Sequence, residues 1–219
     1  MAISKLNFNS INVTPSANAA IGFDSGADDL ETGAGGGSMN FIKKLTASSS
    51  STLSFVDGSS SVVLDNTYKE YLFIFNDIHP SNDSIIFEFQ GNAAGGSGFN
   101  ETITSTTFQS YHNEAGDVAE LAYSTSGDQA QGTSFQRIND SIGNGNDESL
   151  SGYLRLFNPS DTTFVKHFSG KTTRYHASDY TNQFFVSGYF NTTSAIDEIQ
   201  FQMSAGTIDA GTITLYGIT

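Results

Sequence analysis

The chain has 219 residues, of which 23 are acidic and 9 are basic, so its formal net charge is −14. It contains no cysteine, which excludes disulfide scaffolds, thiolate metal sites and cysteine nucleophiles. The excess of acidic residues disfavours nucleic-acid binding, so we expect no nucleic-acid partner. No apolar stretch approaches the ~20 residues that a membrane span requires, so we expect no membrane partner either.

The first 38 residues differ from the rest of the chain. Isolated apolar residues recur between Asn, Ser, Ala and Gly, without a period long enough to bury one face, and residues 33–38 have the composition of a flexible linker. The start also lacks the apolar core of a signal peptide, so none is expected. Residues 1–38 are either a disordered tail or, as we favour, an extended arm that packs on a neighbouring subunit. The expected contacts of this arm are Ile3, Leu6, Phe8, Ile11 and Val13.

From residue 39 onwards the pattern predicts β-strands. Residues 69–78 are apolar on both alternating faces, which is typical of a central strand covered on two sides. Residues 196–203 and 211–218 alternate apolar with polar side chains, which indicates one buried face. The other predicted strands are 41–45, 52–56, 85–90, 100–111, 118–124, 133–138, 150–157, 163–168 and 183–190.

Helix signals are nearly absent, because no long segment carries an apolar stripe at helical spacing. The predicted fold of residues 39–219 is therefore all-β: an antiparallel β-sandwich whose Phe and Ile side chains interdigitate between two sheets. The connections at 91–99 and 139–149 are longer than hairpin loops. Such long crossings favour a jelly-roll topology over a simple meander.

Two groups of residues have the chemistry of metal ligands. His167 and His176 flank Ser169-Gly170-Lys171, which we interpret as a turn, and a hairpin there would bring the two imidazoles together. The loop from Asn144 to Glu148 offers oxygen atoms for Ca²⁺, although the residue order of an EF-hand loop is missing. The alternatives are two ordinary polar histidines and a solvated turn. We predict no metal and no cofactor, and leave calcium binding near residues 144–148 open.

Signals for catalysis are weak. Gly96-Ser97-Gly98 lacks the spacing of a nucleophile elbow, and no pair of carboxylates stands out for glycoside cleavage. We therefore predict no enzymatic activity and no catalytic residues.

The tyrosines are the remaining candidates for a binding site. Loops carrying Tyr111, Tyr175 and Tyr180 would form a platform on which sugar rings stack, although the chain has no Trp to offer a larger face. The alternative is that these tyrosines belong to the core or rim of the sandwich.

Several segments resemble virion structural proteins of marine tailed bacteriophages, cyanophages and pelagiphages among them. They are SKLNFNSINVTP (4–15), YKEY (68–71), DIHP (77–80), IGNGNDE (142–148), YHASDY (175–180) and the C-terminal GTIDAGTITLYGIT (206–219). The last is similar to the GTIxLYGI-like final strand of many tail-fibre and head-decoration proteins. The resemblance implies a virion component without defined catalytic residues, and it does not distinguish capsid exterior, tail and fibre.

The favoured hypothesis is a non-enzymatic phage virion protein that decorates or projects from the capsid or tail. We expect a homo-oligomer, a trimer, that binds other virion proteins through the arm, assembles in the host bacterial cytoplasm and lies on the virion exterior, where an acidic surface is not repelled by packaged DNA. One alternative is a receptor-binding fibre tip whose Tyr111, Tyr175 and Tyr180 contact a host surface glycan. The other, a polysaccharide-degrading enzyme, is least favoured because it needs convergent carboxylates.

Overall fold

The computed structural model describes residues 21–23, 30–32 and 38–219. The chain divides into two units, residues 1–40 and 41–219. In the first unit, strand β1 (Ile21–Phe23) pairs antiparallel with β2 (Leu30–Thr32). The predicted arm contacts Ile3, Leu6, Phe8, Ile11 and Val13 lie outside the described residues. The arm and its boundary at residue 38 therefore stay predictions.

The remainder of the described chain folds into two sheets. The larger has nine strands, in the spatial order β3 (Met39–Thr46), β15 (Ile208–Ile218), β5 (Glu70–Pro80), β11 (Leu150–Phe157), β12 (Lys166–His176), β13 (Tyr180–Phe190), β7 (Ile103–Asn113) and β8 (Ala119–Tyr123), with β9 (Ala130–Gly132) also paired to β7. The smaller has four, in the order β10 (Gln136–Arg137), β6 (Phe87–Ala93), β14 (Ile196–Met203) and β4 (Thr52–Val56).

The prediction of an all-β fold with two antiparallel sheets is confirmed, and the arrangement is consistent with a β-sandwich. The sheets hold nine and four strands, and this strand order does not confirm the jelly-roll connectivity. Among the described residues, no helix has the length and hydropathy to cross a membrane.

Phenylalanine rings fill the space between the sheets. Phe201 of β14 lies edge-to-face with Phe73 and Phe75 of β5, with ring centroids 5.3 Å apart in both pairs. Phe89 of β6 meets Phe168 of β12 in the same geometry at 5.1 Å. Rings from both sheets therefore interdigitate, which is how a sandwich buries its inner faces.

The opposite face of β5 is less covered than its sequence pattern predicts. Tyr71, Phe73 and Phe75 are buried between the sheets, whereas Leu72 and Ile74 on the other face are half-exposed. The strand is central within its sheet, between β15 and β11. The described residues therefore cover the second apolar face of the strand only in part, less than the sequence pattern predicts.

Strand β12 corrects one further prediction. It runs without interruption from Lys166 to His176 and pairs along its whole length with β13. The segment interpreted as a turn, Ser169-Gly170-Lys171, therefore lies in the middle of a strand. Gly170 is used there because a Cβ would come within about 3 Å of the Tyr153 carbonyl oxygen on the neighbouring strand.

Candidate functional site

The inner face of the larger sheet becomes polar at one end, where β7, β13 and β12 lie side by side. The strand register places Tyr111 opposite Asn182, and Tyr180 opposite His176. Side chains alternate between the two faces of a strand, so these four and Arg174 share one face. They surround a cavity of about 360 Å³ lined by Gln109, Tyr111, Asp140, Arg174, His176 and Tyr180, among others.

A third segment completes the rim of this cavity. Thr172 on β12 donates its hydroxyl to the Ile138 carbonyl, and Ile142 forms an isolated bridge with Ile85 next to the smaller sheet. These two contacts hold residues 138–142 across the inner face, and Asp140 lies between them. The long connection that follows β10 therefore supplies the only carboxylate among the residues that line the cavity.

Three aromatic rings form one wall. The ring of Tyr180 lies edge-to-face with Tyr111 at 5.9 Å and with the His176 imidazole at 5.6 Å. The hydroxyl of Tyr111 hydrogen-bonds the Glu120 carboxylate on β8, which fixes the ring and raises the pKa of Tyr111. The tyrosines are half-buried, so part of each ring faces the cavity.

Arg174 lies at the base of the cavity and is 96% buried, since only 4% of its surface is exposed. Its Nε and Nη1 atoms are buried without a hydrogen-bond partner among the residues that the structure describes. Burial lowers the pKa of the guanidinium to about 10, against the opposing charge of Asp140, so the group is still a cation at neutral pH. Among the described residues, the only ion pair joins Arg155 to Glu70, so Arg174 is not neutralised by direct contact with Asp140.

Asn182 carries a second unpartnered polar group. Its Nδ2 donates to Oε1 of Gln109 at 2.9 Å, while its buried Oδ1 has no hydrogen-bond partner within residues 38–219. Buried polar groups in folded proteins are nearly always hydrogen-bonded, because an unpaired one costs about 1–3 kcal/mol. Arg174 and Asn182 are opposite each other on β12 and β13, so two side chains with unused hydrogen-bonding atoms lie next to each other in the lining of one cavity.

The protonation of His176 follows from its local geometry. The backbone N–H of Ser178 donates to Nδ1 at 3.0 Å, so Nδ1 must carry a lone pair and the neutral ring holds its proton on Nε2. Burial, together with the charge of Arg174, lowers the pKa of this imidazole. His176 therefore presents a neutral N–H donor at physiological pH.

The structure brings together two of the three predicted sugar-contact residues. Tyr111 and Tyr180 form the wall described above, but Tyr175 is one residue out of phase with Arg174 and His176, so it lies on the other face of β12. Its hydroxyl is within 3.0 Å of a Glu114 carboxylate oxygen and 3.2 Å of one from Asp179. The tyrosines also lie in strands, not in the loops that the sequence predicted.

The structure does not bring together the two histidines considered as metal ligands. His167 and His176 are nine positions apart on one extended strand, a distance of roughly 30 Å, and the odd spacing directs them to opposite faces. In the loop from Asn144 to Glu148, the Glu148 carboxylate folds back to accept the N–H of Gly145. Within the described residues, no group of three or more metal-ligating side chains is present.

Sequence reasoning missed Arg174, the most unusual residue of the cavity. The predicted strand ended at residue 168, so Arg174 was not placed in phase with buried Phe168 and Thr172. A strand continued through Gly170 would have shown a charged residue on a buried face. That pattern is rare enough to indicate a site.

Comparison with known proteins assigns no family to the chain: no family model matches it, and no curated protein or solved structure matches it significantly.

Proposed function

We propose that the protein is a non-enzymatic structural component of a bacteriophage virion, which decorates or projects from the capsid or tail. The resemblance of its two ends and its central segments to virion proteins supports this function. One structural observation supports it independently: the larger sheet has an apolar outer face that the described residues leave partly uncovered. A subunit of a larger assembly has such a face, because a neighbouring subunit supplies the missing layer.

The outer face is apolar in two regions. At the centre, Leu72 and Ile74 of β5 are half-exposed beside Tyr153 of β11, which is 36% exposed. Towards the β8 edge, Phe108 and Phe185 stack with ring centroids 4.5 Å apart. The second region continues along β8 through Leu121 and Tyr123, which are 72% and 54% exposed.

A homo-oligomer is the simplest assembly that would cover this face, and we propose a trimer that binds other virion proteins through residues 1–38. The mass of the purified protein in solution, measured by light scattering, tests the oligomer. Substitution of Leu121 and Phe108 by Ser is expected to shift a trimer towards monomer, because both side chains lie on the apolar face. Phe164→Ser is the control for the loss of an exposed ring, since Phe164 is 69% exposed in the loop between β11 and β12, outside the strands that carry Phe108 and Leu121.

Deletion of residues 2–38 tests the anchoring role of the arm. The truncated protein is expected to fold as a β-protein and to be missing from purified particles. Particles that carry the truncated protein at the wild-type copy number would show that the arm does not anchor it. A wild-type protein that is monomeric and never associates with particles would contradict the structural role itself.

A second candidate function is a receptor-binding module that recognises a host surface glycan. The observation that favours it is the cavity beside Tyr111 and Tyr180, where aromatic rings adjoin unpartnered hydrogen-bonding groups. Sugar-binding sites combine these two features, because the ring faces of a sugar are apolar and its edges are polar. Saturable binding to host cells or a glycan array is expected, and a signal no higher than that of the denatured protein would remove this candidate.

A further inference from the structure

We propose that the cavity between β7, β12 and β13 binds a carboxylate-bearing sugar, with the acid group on Arg174 and the sugar ring against Tyr180. This inference deepens the glycan-binding candidate and rests on it. It does not depend on the virion role of the protein.

The charge of the cavity selects an anionic ligand. Arg174 is the only lysine or arginine among the described residues that line the cavity, and no carboxylate in the described part of the chain forms an ion pair with it. A buried cation without a partner is costly, and an anion that enters the cavity removes that cost while supplying acceptors for the guanidinium. A neutral ligand would leave the charge uncompensated.

The nearby carboxylate limits how much negative charge the ligand can carry. Asp140 lines the same cavity and already opposes the effect of burial on Arg174. A singly charged carboxylate of the ligand meets one cation and one anion of the protein. A phosphate ester carries up to two negative charges at neutral pH and is repelled more strongly by Asp140. The balance therefore favours a carboxylate over a phosphate.

The remaining lining groups fit the rest of a sugar acid. The half-buried ring of Tyr180, held between Tyr111 and His176, offers an apolar surface for the C–H bonds of a sugar ring. The Nε2–H of His176 donates to a hydroxyl oxygen of the sugar. Since the volume of about 360 Å³ is near the lower limit for ligand cavities, the site holds one acidic residue of a chain and not a long segment.

The overall charge of −14 does not oppose this assignment. Charges farther from the cavity than about 8–10 Å are screened at physiological salt, so the local groups dominate. Long-range repulsion slows the approach of a polyanion, whereas a single uronate residue at the end or side of a mixed glycan meets little of it.

Titration calorimetry with the full chain and defined small probes tests the inference. Sodium glucuronate is expected to bind at least tenfold more tightly than glucose and more tightly than glucose 6-phosphate, and acetate is expected not to bind measurably. Equal affinity for glucose and glucuronate would overturn the role of the charge. Acetate binding as tight as glucuronate would overturn the role of the sugar ring, and tighter binding of the phosphate would overturn the choice of carboxylate.

Three variants locate the binding. Arg174→Gln is expected to weaken glucuronate binding at least tenfold, whereas Arg155→Gln, which removes an exposed arginine on the opposite face of the neighbouring strand β11, is expected to leave it unchanged. Asp140→Asn keeps the size of the side chain and removes the opposing charge, so it is expected to increase the affinity for glucuronate several-fold. If Arg174→Gln fails to fold, the Asp140→Asn variant still decides: unchanged or weaker binding contradicts the proposal.

The outcome separates this inference from the function on which it rests. Neutral host glycans that bind saturably while glucuronate does not would leave the receptor-binding function standing and remove the acidic ligand. If neither neutral host glycans nor glucuronate bind, the receptor-binding function and the acidic ligand are both contradicted.

Discussion

The rings of Phe201 and Phe75 meet edge-to-face at 5.3 Å across the space between the two sheets. Phe201 belongs to the four-stranded sheet and Phe75 to the nine-stranded one, so this pair joins the two layers directly. Phe201 also contacts three rings of its own sheet and one more of the other: Phe55, Phe87, Phe89 and Phe73. It is therefore the residue on which most of the aromatic packing of the core converges.

Replacement of Phe201 by Ala is expected to lower the free energy of unfolding by about 3–5 kcal/mol, because it removes a fully buried ring and leaves a cavity among five others. Equilibrium denaturation in urea measures this loss. Phe164→Ala is the control, since Phe164 is 69% exposed and its removal is expected to change the free energy by less than about 0.5 kcal/mol. Similar losses in the two variants would contradict the central position of Phe201.

Gly211 is expected to resist substitution for two separate reasons. It has φ of +107° at a bulge in β15, and a Cβ there would lie 2.5 Å from the Asp77 carbonyl oxygen. Gly116, in the turn before β8, shares the positive φ but has open space around it. Gly116→Ala is therefore expected to lower the free energy of unfolding by about 1 kcal/mol, and Gly211→Ala by about 3 kcal/mol. Equal losses in thermal denaturation would show that the close backbone contact at Gly211 costs nothing.

Much of the fold was predictable because half-buried strands leave a period of two in the sequence. Strand β14, with Ile199, Phe201 and Met203 buried, has the predicted bounds, and β15 has the predicted end but begins at Ile208, three residues before the predicted start. The errors occur where a residue type has two uses. Gly170 was interpreted as a turn residue, but it serves a close approach between strands, and only the neighbouring strand shows which use applies.

The candidate site was only partly predictable for a related reason. Tyr111 and Tyr180 are 69 positions apart and become neighbours through the pairing of β7 with β13, which local periodicity does not reveal. The exclusion of Tyr175 depends on the observed end of β12 at His176: Tyr175 and His176 are then adjacent residues of one strand and point to opposite faces. The importance of Arg174 depends on the absence of partner atoms, a property of the folded chain alone.

His176 is expected to make the protein less stable in mild acid. Its pKa is lowered in the folded state from the ordinary value of 6.5, first by burial and then by Arg174, while Asp140, Asp83 and Glu148 act in the opposite direction. The unfolded chain therefore takes up the proton first as pH falls, so stability is full above about 6.5 and declines below it.

The variant His176→Gln is expected to lose less stability than the wild type between pH 7 and pH 5. Thermal denaturation across this range, by circular dichroism, measures the difference. His167→Gln serves as the control because His167 lies exposed at the other end of the same strand. If His176→Gln loses as much stability as the wild type between pH 7 and pH 5, a group other than His176 is responsible for the loss in acid.

Arg174 is expected to reduce the stability of the protein, which is the property that separates a ligand-binding arginine from a structural one. A structural arginine forms ion pairs and hydrogen bonds, and its removal destabilises the fold. Arg174 is buried with two unpartnered nitrogens, so Arg174→Met, which keeps most of the apolar stem, is expected to raise the free energy of unfolding by about 1 kcal/mol or more. The matched variant Arg155→Met removes the exposed ion pair with Glu70. It is expected to lower the free energy of unfolding by less than about 1 kcal/mol. Denaturation of both variants without ligand measures the contrast. A clear loss of stability in Arg174→Met would mean that the guanidinium stabilises the empty fold, and the assignment of this arginine to a ligand would then fail.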